Sequence, residues 1–370
     1  MKIKKLLFLV LGLYLSGHVY SQTFDIYVSD AAGFGPPNAI IKYDANGENP
    51  ETFIGEDELN WPQEILFLED QNEVLISNLG SGRITRHNAS TGDYIDDFAT
   101  VAGGPTRMAI GPGDFIYVIQ WGGNGNVLRF QQDGTFEDEF TSEGVFRSIG
   151  IDWDSSGNMY VASYAQSTIR KYNSSGIDQG LFIDSGLAGP TTIRFNDNDE
   201  LIILNWNTGA LQLYDINGAL LETFDTGISQ AEGIAFYPDG SFLVGHGLDS
   251  SVKLYDNNND FVEEIVASEL GGLVRPNAVT LRDQSLSIGE QDNLISNRIF
   301  NTSIGNQFQI NSNLLLSKIP IKIYDYTGKL VVSIDHMENS IWDANKLNTG
   351  LYFATVNFNG QVISQKIVID

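Results

Sequence analysis

The chain has 370 residues, no cysteine, 47 acidic against 21 basic residues, and a formal net charge of −26. Such a balance excludes nucleic acid as a partner, because phosphate binding needs clustered Lys and Arg. Without cysteine there are no disulfides, thiolate metal sites or lipid acylation site, so stability must come from packing and strand pairing.

In chain order, residues 1–21 read as a secretory signal: Lys2, Lys4 and Lys5, an apolar run from Leu6 to Leu15, then small and polar residues up to a cleavage point after Ser21. That run, about 10 residues, is too short to span a bilayer, which takes roughly 20. No later segment is apolar enough to be a span. From residue 22 a repeat dominates. An aromatic or His followed by Asp, Asn or Gln recurs at Tyr43-Asp44, His87-Asn88, Phe130-Gln131, Tyr172-Asn173, Tyr214-Asp215 and Tyr255-Asp256, at intervals of 41 to 44 residues. Each unit reads as four short strands separated by polar turns, as in PTTIRF, ELIILN, ALQLYD and LLETF from Pro190 onward. Four strands per repeat of this length is the arithmetic of a β-propeller blade. Frequent Gly, Asn and Asp rule out a helical solenoid.

The first unit lacks its first strand. DIYVSD, AIIKYD and ETFI supply the second to fourth, and the missing strand is PNAVTL, Pro276 to Leu281, after the sixth full unit. The expectation is a six-bladed β-propeller over residues 22–282, its first blade closed by a C-terminal strand so that no sheet edge stays open. The pattern resembles NHL-type six-bladed propellers, most closely at AEGIAFYPDGSFLVGH, where Gly233 and Asp239-Gly240 stand as in that consensus.

Residues 283–292 read as a polar linker. Beyond it, IPIKIYDYTGKLVVSI and LNTGLYFATVNFNGQVISQKIVI read as hairpins, the second turning at Asn359-Gly360. Ile323-Tyr324-Asp325, Gly328-Lys329-Leu330-Val331, Leu347, Gly350-Leu351-Tyr352 and the final Lys366-Ile367-Val368 resemble the type A sorting domain of the bacterial type IX secretion system. That resemblance covers 293–370 as a small β-sandwich. It implies a partner, the secretion machinery, and a location outside a Gram-negative outer membrane, secreted or held at the cell surface.

In a propeller the loops entering each first strand and leaving each second strand share one face around the central channel, and the opposite face carries tight turns. The loop face collects Trp61, Trp121, Tyr164 and Trp206, with His246 at a strand end. Exposed aromatics there suit stacking on sugars or gripping a peptide. Around the channel, the entry pairs read Gln63-Glu64, Thr106-Arg107, Arg147-Ser148, Thr191-Thr192, Glu232-Gly233 and Asn277-Ala278. Glu64, Glu232 and Asn277 come from three successive blades, Arg107 and Arg147 from the next two. An arc of carboxylates and an amide offers oxygen ligands to Ca²⁺ or another hard divalent ion. It is loosely similar to the gluconolactonase-like propellers, which place Glu, Asn and Asp at such positions. The bland readings are cross-channel ion pairs for the charges, blade capping for the aromatics, and hairpin turns for the Asn/Asp clusters at 196–199 and 256–259. The leading expectation is a non-enzymatic exported module that binds an extracellular glycan or protein through the loop face. The alternative is a metal-dependent extracellular hydrolase or lactonase using Glu64, Glu232 and Asn277.

Overall fold

A computed structural model describes residues 24–35, 37–284, 299–300, 305–310, 320–325, 328–334, 341–358 and 361–369. The expected signal sequence at 1–21, most of the expected linker and the expected turn at Asn359-Gly360 lie outside the described residues. The chain divides into two compact units, residues 1–287 and 288–370.

The first unit holds six four-stranded antiparallel sheets. Blade one is Pro276–Asp283, Phe24–Asp30, Ala39–Tyr43 and Glu51–Ile54, in that spatial order. Pairing of Val28 with Val279 and of Tyr27 with Thr280 closes it as PNAVTL requires. Blades two to six run in sequence order, with first strands at Pro62–Leu68, Pro105–Ile110, Ser148–Trp153, Pro190–Phe195 and Ala231–Phe236.

Second strands such as Ile116–Gln120 and Met159–Ser163 are buried throughout, so they tolerate apolar residues on both faces. Fourth strands form the outer edge and are mostly exposed; their Asp and Glu, as in Tyr94–Thr100 and Phe261–Val266, deter edge-to-edge pairing. The core lies between blades. Six separate apolar clusters each join two neighbours, and the sixth joins Ile26, Val28 and Ile41 of blade one to Leu243, Val252 and Val266 of blade six. That last cluster, with the strand pairing above, seals the ring. Gly233 shows how tightly: at φ +47° a Cβ there would meet the Val279 backbone nitrogen at 2.7 Å.

The turn face is built from Asx turns. Asp44, Asp154, Asn173, Asn196, Asp215 and Asp256 each accept the backbone N–H groups two and four residues on. The Asn/Asp clusters at 196–199 and 256–259 are therefore hairpin turns whose lead side chains are committed to the backbone.

The second unit pairs Gln307–Gln309 with Ile341–Asp343, and orders a second sheet as Leu330–Ile334, Ile321–Asp325, Gly350–Phe358 and Gln361–Ile369. One core spans both sheets of this small sandwich, with Phe300, Phe308 and Trp342 in mutual ring contact beside Ile323, Ala354 and Ile367. The Gln365 amide ties the strand to the Phe300 backbone, accepting its N–H at 2.7 Å and donating to its carbonyl at 3.0 Å. Among the described residues no helix is long and apolar enough to cross a membrane.

Candidate binding face

The residue before each first strand sets the loop face. In blades two to six it is Trp61, Gly104, Arg147, Gly189 and Gln230, all at positive φ between 49° and 76°. The turn lets each chain drop into the channel wall through a bulge. Only two of the five are glycine, so Trp61, Arg147 and Gln230 hold a left-handed backbone that L-residues disfavour.

Strand pairing corrects one register. Ser148 pairs with Ser163 as Pro62 pairs with Asn78, so the channel pair of blade four is Ile149-Gly150 and not Arg147-Ser148. Arg147 consequently stands one step outside the channel, exposed on the rim. Its guanidinium lies 5.1 Å from the Trp121 ring and 5.2 Å from that of Phe146. Trp121 in turn meets Tyr164 at 5.8 Å. On the blade-one side, Arg275 lies 4.0 Å from the Phe34 ring, and Phe34 meets Trp61 at 5.0 Å. Trp206 makes neither contact; its backbone N–H is donated to Gly189. Trp61, Trp121, Tyr164 and Trp206 are all half-buried.

The exposed apolar surface of this face belongs to residues the sequence reading did not select. Phe146 is 56% exposed, Leu248 61%, Val274 47% and Phe34 43%. The signal available was an apolar residue inside a loop otherwise made of Gly, Ser or charged residues, as in Gly33-Phe34-Gly35.

His246 is not on the rim. It is fully buried, 3.3 Å from the Tyr255 hydroxyl, and burial pushes its imidazole down to about 4. Other strand-end polar groups hold the incoming loops: Asn78 Oδ1 accepts the Asn60 N–H, Asn205 Oδ1 that of Ala188, and Asp30 Oδ1 those of Ala32 and Arg275.

Arg107 closes the mouth of the channel. Buried to 5% exposure, it donates to the Gln63 carbonyl, to the Asn277 carbonyl at 2.8 Å and to Glu232 Oε1 at 3.2 Å, with Glu64 Oε2 at 3.9 Å. Burial raises Glu232 to about 7 against the opposing pull of Arg107, and Glu64 beside it adds to the rise. Glu64 is also raised by burial. Below this plug the channel has a volume of about 620 Å³, lined by first strands that carry Arg194, Arg282 and Asp283.

Polar groups without partners concentrate here. Among the described residues, the buried side-chain atoms with no hydrogen bond are Trp61 Nε1, Arg107 Nε, Thr192 Oγ1, Gln230 Oε1, His246 Nδ1, Arg275 Nε and Asn277 Oδ1. All seven sit on the loop face or in the channel wall; the turn face contributes none. A buried polar atom left without a partner costs about 1–3 kcal/mol, and an ordered water is the ordinary partner for such an atom.

Comparison with known proteins places the family match inside the second unit. Residues 304–370 match the family described as the secretion system C-terminal sorting domain. The tail is a sorting domain. No curated protein matches the chain. Among solved structures, the propeller is similar to a chain of a nidogen/laminin complex, at 14% identity and TM-score 0.58, covering 70% of this chain and 98% of that one. A Bacteroides caccae protein of unknown function matches at 15% identity and TM-score 0.55, over 70% of this chain and 99% of its own. A functionally unknown protein from Desulfotomaculum acetoxidans follows at 12% identity and TM-score 0.50, over 70% and 89%. At these identities the likeness is one of fold.

Proposed function

We propose that this chain is an exported, non-catalytic propeller that docks an extracellular protein through its loop face after its sorting domain has directed it through the type IX route to the outside of the cell. The observation that carries the reading is the set of exposed apolar side chains on the loop face, Phe34, Phe146, Leu248 and Val274, with Arg147 and Trp121 beside Phe146 and Arg275 and Trp61 beside Phe34. Apolar side chains ringed by Arg and Trp favour a protein surface over a sugar. A nidogen/laminin complex includes a chain of this fold, which makes protein docking compatible with it. Pull-down against extracellular proteins, run beside glycan arrays, tests the reading. Phe146→Ser with Leu248→Ser should abolish a protein signal that the parent gives. Equal binding by parent and variant, or binding confined to the glycan array and lost in Trp121→Ala, would overturn it.

The second reading, a divalent ion at Glu64, Glu232 and Asn277, has two neighbouring carboxylates in its favour, Glu232 buried and Glu64 half-buried. The Asn277 amide oxygen, the third ligand of that reading, is buried without a hydrogen bond, and one contact weighs against an ion. Arg107 already places a cation among these groups and takes the Asn277 carbonyl, so an ion would have to displace a buried guanidinium. Thermal unfolding of the full chain in millimolar Ca²⁺ should match that in chelator; a raised Tm would reinstate the ion site.

A further inference from the structure

The clefts between blades repeat one design. In blades one, three and four, one equivalent position of the second strand is a tyrosine, Tyr27, Tyr117 or Tyr160, whose ring fills the wedge toward the next blade. Each ring sits between two aromatic walls, one from the fourth strand of its own blade and one from the first strand of the next. Tyr27 meets Phe53 and Phe67, both at 5.0 Å; Tyr117 meets Phe140 at 5.2 Å and Trp153 at 5.0 Å; Tyr160 meets Phe182 at 4.9 Å and Phe195 at 4.7 Å. The hydroxyl of Tyr117 donates to the Pro112 carbonyl and that of Tyr160 to Asp154, both in the turn after the first strand of the same blade. A cation from the third strand lies over each ring: Lys42, Arg129 and Lys171.

Blade five keeps the walls and omits the ring. Its corresponding residue is Ile202, with Phe224 and Phe236 in the wall positions and Leu213 where the cation stands elsewhere. The six equivalents are Tyr27, Leu75, Tyr117, Tyr160, Ile202 and Leu243, and Ile202 alone is not buried. What results is a cleft of about 790 Å³ opening toward the turn face, lined by Ile202, Leu213, Phe224 and Phe236, with Asn196 and Asp197 at its edge. Those two occupy the places of Asp154 and Pro112; the Asn196 amide is committed to Asn198 and Glu200, so the backbone carbonyl of Asp197, in the place of the Pro112 carbonyl, is the acceptor a phenolic hydroxyl would use. The volume lies within the range of small-ligand sites, roughly 300–1,000 Å³.

We propose that the cleft between blades five and six binds an aromatic ring supplied from outside the chain, a phenol or phenyl group seated between Phe224 and Phe236 in the place that tyrosine holds in the sibling clefts. Edge-to-face contact with two aromatic walls orients the ring, and burial of its faces provides the driving force. The site is separate from the loop face, so its failure leaves the docking reading intact.

The probe is p-cresol, the tyrosine side chain cut at Cβ, titrated into the full chain and followed by NMR. Saturable binding in the millimolar range is expected. Ile202→Tyr should supply the ring from within, weakening p-cresol binding at least ten-fold without lowering Tm. Ile202→Phe serves the same purpose without the hydroxyl. Tyr160→Ala should open a second cleft and raise the stoichiometry from one p-cresol to two. A five-residue peptide, Ala-Ala-Tyr-Ala-Ala, separates the sources of the ring: affinity ten-fold tighter than that of p-cresol assigns a peptide side chain, and equal affinity a small aromatic molecule. Absence of p-cresol binding to the parent, unchanged binding to Ile202→Tyr, or failure of both Ile202 variants to fold would overturn the proposal.

Discussion

The two faces of the propeller are both made of strand connections and differ in how those connections satisfy themselves. On the turn face, a single Asp or Asn per hairpin captures the local N–H groups, and each turn is complete within about five residues of sequence. On the loop face, Trp61, Arg147 and Gln230 hold left-handed backbone without being glycine, polar atoms are buried without partners, and large apolar side chains face solvent. The turn face also exposes apolar residues, Ile110, Ile177 and Ile216, but its hairpins satisfy their own backbone groups. The loop face carries a local backbone cost at three non-glycine positions, and the proposed docking of a protein there would account for its being kept.

Four perturbations break or sharpen that contrast. The largest effect is expected at the floor of the loop face. Arg107→Ala strips the cation from Glu232 and Glu64 and should destabilise by about 3–5 kcal/mol in chemical denaturation, because an unpaired buried carboxylate is worse than no charge. A loss below about 1 kcal/mol would mean that the plug is solvated.

Next comes pH at His246. Its imidazole is buried and neutral, lowered to about 4 in the fold, whereas an unfolded chain binds that proton near 6.5. Its contribution is therefore complete above pH 6.5 and is lost as pH falls toward 4, by up to about 3 kcal/mol. Glu232 acts in the opposite sense, since a carboxyl raised to about 7 disfavours the fold as pH rises from 4.5 through 7. The two are separated by comparing parent with His246→Leu: the stability advantage of the parent should shrink between pH 7.5 and 4.5. An advantage that grows on acidification would refute the assignment.

On the turn face, Asp154 accepts from the backbone of Ser156 and Asn158, from the Asn158 amide and from the Tyr160 hydroxyl. Asp154→Ala should cost about 2 kcal/mol. The smallest effect is Arg147→Gly, which relieves a positive φ of 49° and should gain about 1 kcal/mol while weakening partner binding. A neutral or destabilising result would show that Arg147 is held there for packing on Trp121 and Phe146.

Ring closure was legible because it rests on pattern: PNAVTL repeats the alternation of every other first strand, and only its partner was missing at the start of the chain. The turn face was legible for the same local reason. Register at blade four was not. Pro62, Pro105, Pro190 and Pro276 mark the channel entry in four blades, and Ser148 takes that place unmarked, so Arg147 read as a channel residue. Exposure was harder still. Whether Trp206 is half-buried, or Phe34 lies under Arg275, depends on segments far apart in sequence. Likewise the change from tyrosine to Ile202 is visible in the aligned strands, yet it becomes a cleft only because Phe236 of the next blade stands across from it.

The most direct test of the docking face places the same photo-crosslinking residue on each side of the propeller in turn, at Phe146 or Leu248 on the loop face and at exposed Asn217 on the turn face, with crosslinks to extracellular proteins resolved by mass spectrometry. Crosslinks to one defined protein from positions 146 and 248, and none from 217, are expected. Equal labelling from both faces, or labelling from 217 alone, would contradict the assignment of partner binding to the loops.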